Sequence, residues 1–180
     1  VYAPFRQVIR RLQRKVVTNP LRYQQGRYTI DFKDLEEKLS HGVKILILCS
    51  PHNPVGRVWS YEELAQLGEI CVKRNVLIVA DEIHSDLVYP PYTHTPFAAI
   101  SEELAQHSII CTSPSKTFNL AGLHTAHIII PNREKRKTFQ SAIKDHVLHF
   151  SNTFGLVATE SAYRYGADWL DQCLSYLKKN

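Results

Sequence analysis

A chain of 180 residues, 44% of them hydrophobic, can bury one substantial core, so one domain or a large part of one is expected. No run approaches the roughly 20 apolar residues that cross a bilayer, and no signal-peptide pattern opens the chain, which points to a cytoplasmic protein without a membrane partner. The net charge of +5, from 22 basic and 17 acidic residues, is spread out except at Arg10 to Lys15 and Arg133 to Lys137. Without interleaved aromatics, these runs read as solvated helix faces and not as a nucleic-acid surface.

From Pro4 to Arg14 the sequence predicts a helix with proline in its first turn, then an extended piece, KVVTN, and a polar turn around QQGR. Asp31 is placed to cap a helix over FKDLEEKLS, with Gly42 near its end. The apolar run VKILILC leads into the loop SPHNPVGRVW. Ser60 and Glu63 have capping-box spacing for a helix that runs to about Arg74, with Leu64, Leu67 and Cys71 as its apolar stripe. VLIVA follows and ends at Asp81. Beyond the proline-rich loop YPPYTHTP, a short helix near Ser101 to Gln106 leads into SIICT. AHIII is a further strand, and three helices close the chain, over Asn132 to Asp145, Thr153 to Arg164 and Asp168 to Lys179. The four cysteines show no CxxC pairing and read as reduced core residues. The chain begins VYAPF and contains no methionine, so a fragment or a processed chain is expected.

KILILC, VLIVA and SIICT are continuously apolar, as strands buried on both faces are. Helices separate them, which predicts an α/β fold with a mostly parallel sheet flanked by helices. Ligands of such sheets bind outside the carboxyl ends of the strands. Reading a few residues past each strand end finds Asn53, Asp81 and Lys116: an amide, a carboxylate and an amine on one edge.

A lysine can bond an aldehyde cofactor if its proton is easily lost, and partial burial near another cation would lower its pKa. Pyridoxal phosphate is the aldehyde that suits the set. Asp81 could keep its pyridine nitrogen protonated, and Asn53 could donate to its ring oxygen. Ser113, Ser115 and the turn around them offer hydroxyls and N–H groups to a phosphate.

SPHNPVGRVW, DEIHSDL and SPSKTFNLAGL together resemble the consecutive motifs of fold-type I pyridoxal-phosphate enzymes of the class I/II aminotransferase-like family. They are most similar to the cystathionine β-lyase-like carbon–sulfur lyases. The resemblance covers nearly the whole chain, and the spacings of 28 residues from Asn53 to Asp81 and 35 from Asp81 to Lys116 agree with it. It implies that Lys116 holds the cofactor and later carries the proton, that Asp81 partners the pyridinium, that Asn53 meets the ring hydroxyl, and that Ser113 binds phosphate, with Ser115 a further contact. It also implies a ring-oxygen partner in His84, where many relatives have tyrosine, and a stacking ring in Tyr2. His124 stands where many class I aminotransferases carry a phosphate-binding arginine, which leaves phosphate anchoring partly unaccounted for.

The resemblance further implies that residues 1–167 are part of a cofactor-binding large domain and that 168–180 lead toward a small domain beyond the chain. An upstream phosphate loop and the arginine for a substrate carboxylate would also lie outside it. The implied protein is a homodimer acting on a small amino-acid substrate, by α,β-elimination to thiol, pyruvate and ammonia or, alternatively, by transamination. A non-catalytic fragment is the reading from a different class.

Each residue also has a plainer reading. Lys116 could be a surface lysine, and Ser113 and Ser115 turn formers. Asp81, Glu82, His84 and Asp86 could hold a divalent cation, although residues two apart on an extended chain converge poorly, and no metal is expected. His124 and His127, in HTAH, read as surface or core histidines.

Overall fold

The structure, a computed structural model, describes residues 1–148 and 152–180. Helix α1 (Ala3–Arg11) has Pro4 in its first turn, where the missing N–H costs nothing. The polar turn that follows is part of an antiparallel hairpin, β1 (Arg22–Gln24) and β2 (Arg27–Thr29). Gln25 and Gly26 turn it at φ 49° and 77°, the positive-φ pair whose twist suits a two-residue hairpin. Its strands are three residues each, too short for alternation to announce them. Asp31 then caps α2 (Phe32–Leu39) by accepting from the Asp34 N–H at 3.2 Å.

Strands β3 (Ile45–Cys49), β4 (Leu77–Asp81) and β5 (Ser108–Thr112) run parallel in that order, and β6 (His127–Ile129) joins β5 antiparallel. The crossovers are helical. Helix α3 (Tyr61–Lys73) starts on the expected capping box, with Ser60 and Glu63 each bonding the other's backbone N–H. A 3-10 turn (Phe97–Ala99) and α4 (Glu102–Gln106), capped by Ser101, return the chain to β5.

Leu48, Ile78, Ala80 and Ile110 of the strands pack with Leu64, Leu67 and Cys71 of α3, and with Leu35 and Leu104. Gly68 permits close approach of α3 and α4, because a Cβ there would stand 2.5 Å from Leu104 Cδ1. Burial alternates along β4: Ile78 and Ala80 are fully buried, whereas Leu77, Val79 and Asp81 are half-buried. The apolar runs suggested two sealed faces; helices α2, α3 and α4 seal one, and the other is half covered.

A one-turn helix, α5 (Pro114–Thr117), follows β5 directly. Helices α6 (Arg133–Asp145), α7 (Thr153–Tyr165) and α8 (Ala167–Lys179) close the chain within a residue or two of their expected limits. Among the described residues no helix is long and apolar enough to cross a membrane. All four cysteines are free thiols; Cys49 and Cys71 are buried, Cys111 and Cys173 half-buried.

The loop between β3 and α3 is pinned from below. Trp59 is 1% exposed and its indole N–H donates to the Cys49 carbonyl at 3.0 Å. The Arg57 guanidinium lies 4.6 Å from the centre of that ring and donates to both carboxylate oxygens of Glu63, at 2.6 and 2.8 Å. Trp59→Phe keeps an aromatic ring but removes the donor, and is expected to destabilise the full-length protein by about 1–3 kcal/mol in urea denaturation.

Candidate active site

Parallel register determines which side chains meet. Cys49 is paired with Asp81 and Asp81 with Cys111, so three strands end level and their loops leave from one edge. Those loops carry Asn53, His84 and Lys116. Because side chains alternate along a strand, Asp81 lies with Val79 on the face away from the sealed core. Glu82 turns the other way. Its carboxylate is buried, accepts from the Phe97 N–H at 2.8 Å and lies 3.0 Å from His94 Nε2.

Asp81 accepts a hydrogen bond from the Ile83 N–H at 3.2 Å. Burial pushes its pKa up, while the Ile83 bond and the fields of His84 and Lys116 pull it back. Burial likewise pushes the His84 pKa down, against the attraction of Asp81, and the Lys116 cation pushes it further the same way. His84 is therefore a neutral imidazole near pH 7. Asp81 and His84 each feel the other and the Lys116 charge, which puts the acid and the imidazole within electrostatic reach of the amine.

Asn53 and His84 line one cleft of about 380 Å³, walled by Pro51, Val58, Leu87, Tyr89 and Tyr92. The Cys49 sulfur sets the backbone there: it accepts from the Asn53 N–H at 3.3 Å and donates to the Pro51 carbonyl at 3.4 Å. Burial holds the thiol protonated by raising its pKa, and so keeps that donor in place.

Lys116 sits on α5, whose N-cap is Ser113. The Ser113 hydroxyl accepts from the Ser115 N–H at 3.0 Å and donates to the Thr125 carbonyl at 2.6 Å. Donation to a phosphate requires that proton to leave Thr125. The Ser115 hydroxyl makes no hydrogen bond among the described residues and is the freer donor. Lys116 itself is exposed, where an easily lost proton called for partial burial. A single turn at the open sheet edge leaves the long side chain in solvent.

Tyr2 is 51% exposed and packs edge-on against Phe5, with ring centres 5.7 Å apart. Among the described residues its side chain makes no hydrogen bond or ring contact with the groups above. His124 is exposed at the end of a 3-10 turn (Ala121–Leu123), in the left-handed region at φ 49°. His127 lies in β6. Among the described residues no group of three or more His, Cys, Asp and Glu is arranged for a metal ion; Glu82 serves His94 and Phe97, and Asp86 accepts from the Thr117 hydroxyl at 2.8 Å.

Among the described residues the side chains of Asn53, His84 and Lys116 make no hydrogen bond, and Asp81 uses one oxygen only. An amide donor, an imidazole, an amine and an acid are thus free at one edge. That set matches the phenolic oxygen, aldehyde and ring nitrogen of pyridoxal phosphate. Sequence reading missed the supporting pairs Glu82–His94 and Asp86–Thr117. Partners 12 and 31 residues apart leave no periodic or spacing signal.

Comparison with known proteins gives one consistent picture. Residues 1–179 match the family model described as aminotransferase class I and II. Cystathionine beta-lyase PatB of Bacillus subtilis is 48% identical over 181 residues, covering 100% of this chain and 47% of that protein. The pyridoxal 5'-phosphate-containing cystalysin of Treponema denticola superposes with TM-score 0.94 at 41% identity, covering 100% of this chain and 46% of that one. The PLP-bound C-S lyase of Staphylococcus hominis superposes at 0.92 with 38% identity, covering 99% and 44%. The chain therefore spans about half the length of the relatives it matches.

A raised pKa means that Asp81 holds its proton more tightly folded than unfolded. Its unfavourable contribution is absent below the ordinary carboxylate range and grows as pH rises through the raised value. Asp81→Asn is therefore expected to raise the Tm of the cofactor-free full-length protein near pH 7 and to lose that advantage near pH 3, as thermal melts across pH would record.

Proposed function

The chain belongs to the aminotransferase class I and II family, and from that premise we propose that the full-length protein is a pyridoxal-phosphate-dependent carbon–sulfur β-lyase. Its substrate class is a sulfur-containing amino acid such as cystathionine, split to a thiol, pyruvate and ammonia. The observation that carries this reading is the level ending of β3, β4 and β5, which brings Asn53, Asp81, His84 and Lys116 to one sheet edge. The names of the similar proteins support the lyase over its sister chemistry.

In this reading Lys116 holds the cofactor through Nζ, and Asp81 keeps a proton on the pyridine nitrogen. Bound pyridoxal phosphate supplies the electron sink for the bond broken at the substrate Cα. Asn53 donates to the ring oxygen, and neutral His84 can donate to the same atom through one nitrogen. Ser115, and Ser113 once its hydroxyl rotates, would meet the phosphate; the resemblance alone gives Tyr2 a place against the ring, from which its packing on Phe5 would have to shift. As a free amine, Lys116 Nζ would take the Cα proton and could return it toward the departing sulfur. Residues 1–167 form part of the cofactor-binding large domain, and 168–180 lead toward a small domain. The four free thiols suit a cytoplasmic enzyme, and the resemblance carries a homodimer with it.

Transamination uses the same groups, and the matched family's own description favours it as the second reading. Full-length protein supplied with L-cystathionine and the cofactor is expected to release pyruvate and thiol; a keto acid that retains the substrate's sulfur chain would select transamination instead. Lys116→Ala is expected to abolish the visible absorbance of the lysine–cofactor bond and to slow turnover by about 100- to 10,000-fold, the range for a positioned acid–base group. Unchanged colour and turnover would remove the lysine from the chemistry.

A further inference from the structure

We propose that Asp86 and Thr117 are positioning residues for Lys116, joined by one hydrogen bond that sets the amine's place relative to Asp81. The inference rests on the proposed cofactor chemistry of Lys116 and adds two residues that the sequence motifs did not single out for it.

Helix α5 is four residues long, far below the length at which a helix holds itself together. Its shape must come from outside. At its start, Ser113 bonds the Ser115 N–H and reaches across to the Thr125 carbonyl. At its end, Thr117 is 1% exposed and its hydroxyl donates to Asp86 Oδ2 at 2.8 Å. Lys116 lies between these two pins. Thr117 is β-branched, so its χ1 is stiff and a fixed hydroxyl fixes the backbone that also carries Lys116.

Asp86 belongs to the other half of the site. It follows Asp81 by five residues, and two turns hold the intervening chain, with the Ser85 N–H donating to the Glu82 carbonyl at 2.9 Å and the Leu87 N–H to that of His84 at 3.0 Å. Among the described residues, Thr117–Asp86 is the one side-chain hydrogen bond between the segment after Asp81 and the segment of Lys116. The bond is charge-assisted, buried at its donor end, and bridges 31 residues of chain. A flexible four-carbon amine delivers a proton well only when its base is stationary. Loosening that base affects turnover more than substrate binding.

The test uses full-length holoenzyme with L-cystathionine as the probe. Thr117→Val matches the shape without the hydroxyl, Thr117→Ser restores it, Asp86→Ala removes the acceptor, and Asp86→Asn keeps a carbonyl acceptor without the charge. The expected result is a kcat per bound cofactor that falls by about 10- to 100-fold in Thr117→Val and Asp86→Ala, the scale for a misplaced catalytic group, with KM little changed. Thr117→Ser and Asp86→Asn should recover most of the loss, and Thr117→Val with Asp86→Ala together should be no worse than either alone. Unchanged kcat in Thr117→Val and Asp86→Ala overturns the inference, as does a loss in Asp86→Asn equal to that in Asp86→Ala, which would make the charge and not the bond the active feature. If Thr117→Val does not fold, the half-exposed Asp86 pair decides alone. Lys116→Ala run alongside separates the two levels: if that variant keeps cofactor colour and turnover, the proposed function fails; if it loses both while the Asp86 variants are unaffected, only the positioning role fails.

Discussion

Everything at this site follows from the level ending of three parallel strands. Cys49, Asp81 and Cys111 share one register line, so the loops after β3, β4 and β5 leave a common edge and bring residues 53, 81 and 116 into one neighbourhood. A slip of one residue in β4 would turn Asp81 toward Leu64 and Leu67 and carry Glu82 into the site. The sealed core makes that slip expensive, because Ile78 and Ala80 would exchange places with half-buried neighbours.

The adjacent acids show how the sheet sorts like groups into unlike roles. Glu82 enters the core side, where His94 and the Phe97 N–H satisfy it, and there it ties down the loop that returns to α4. Asp81 faces the open side with one backbone donor, and burial works against its charge. A half-buried carboxylate short of partners is unfavourable for an isolated fold and well suited to a cationic heterocycle. The same opposition holds at Lys116, an exposed cation on a helix too short to stand alone, whose order is imported from Ser113 and Thr117.

Cys49 illustrates a support that looks like core filling. Its sulfur accepts from the backbone of Asn53 and donates to Pro51, while its own carbonyl takes the Trp59 indole. The floor of the Asn53 loop is thus a buried thiol and a buried ring, with Arg57 bracing the loop to the Tyr28 carbonyl of β2 and to Glu63 of α3.

Sequence alone determined what depends on local chemistry and period. The caps at Asp31 and Ser60, the apolar runs of β3, β4 and β5, and the identities of Asn53, Asp81 and Lys116 as strand-end groups were all legible, because each signal lies within a few residues. The three-residue hairpin strands were not, being shorter than any alternation. Tertiary structure decided the rest: that one sheet face is sealed and the other half open, that Lys116 is exposed, that the Ser113 proton is committed to Thr125, and that Glu82 meets His94 and Asp86 meets Thr117. Those outcomes depend on which loops pack together across 12 to 31 residues of chain, and close packing in three dimensions leaves no trace in one-dimensional spacing.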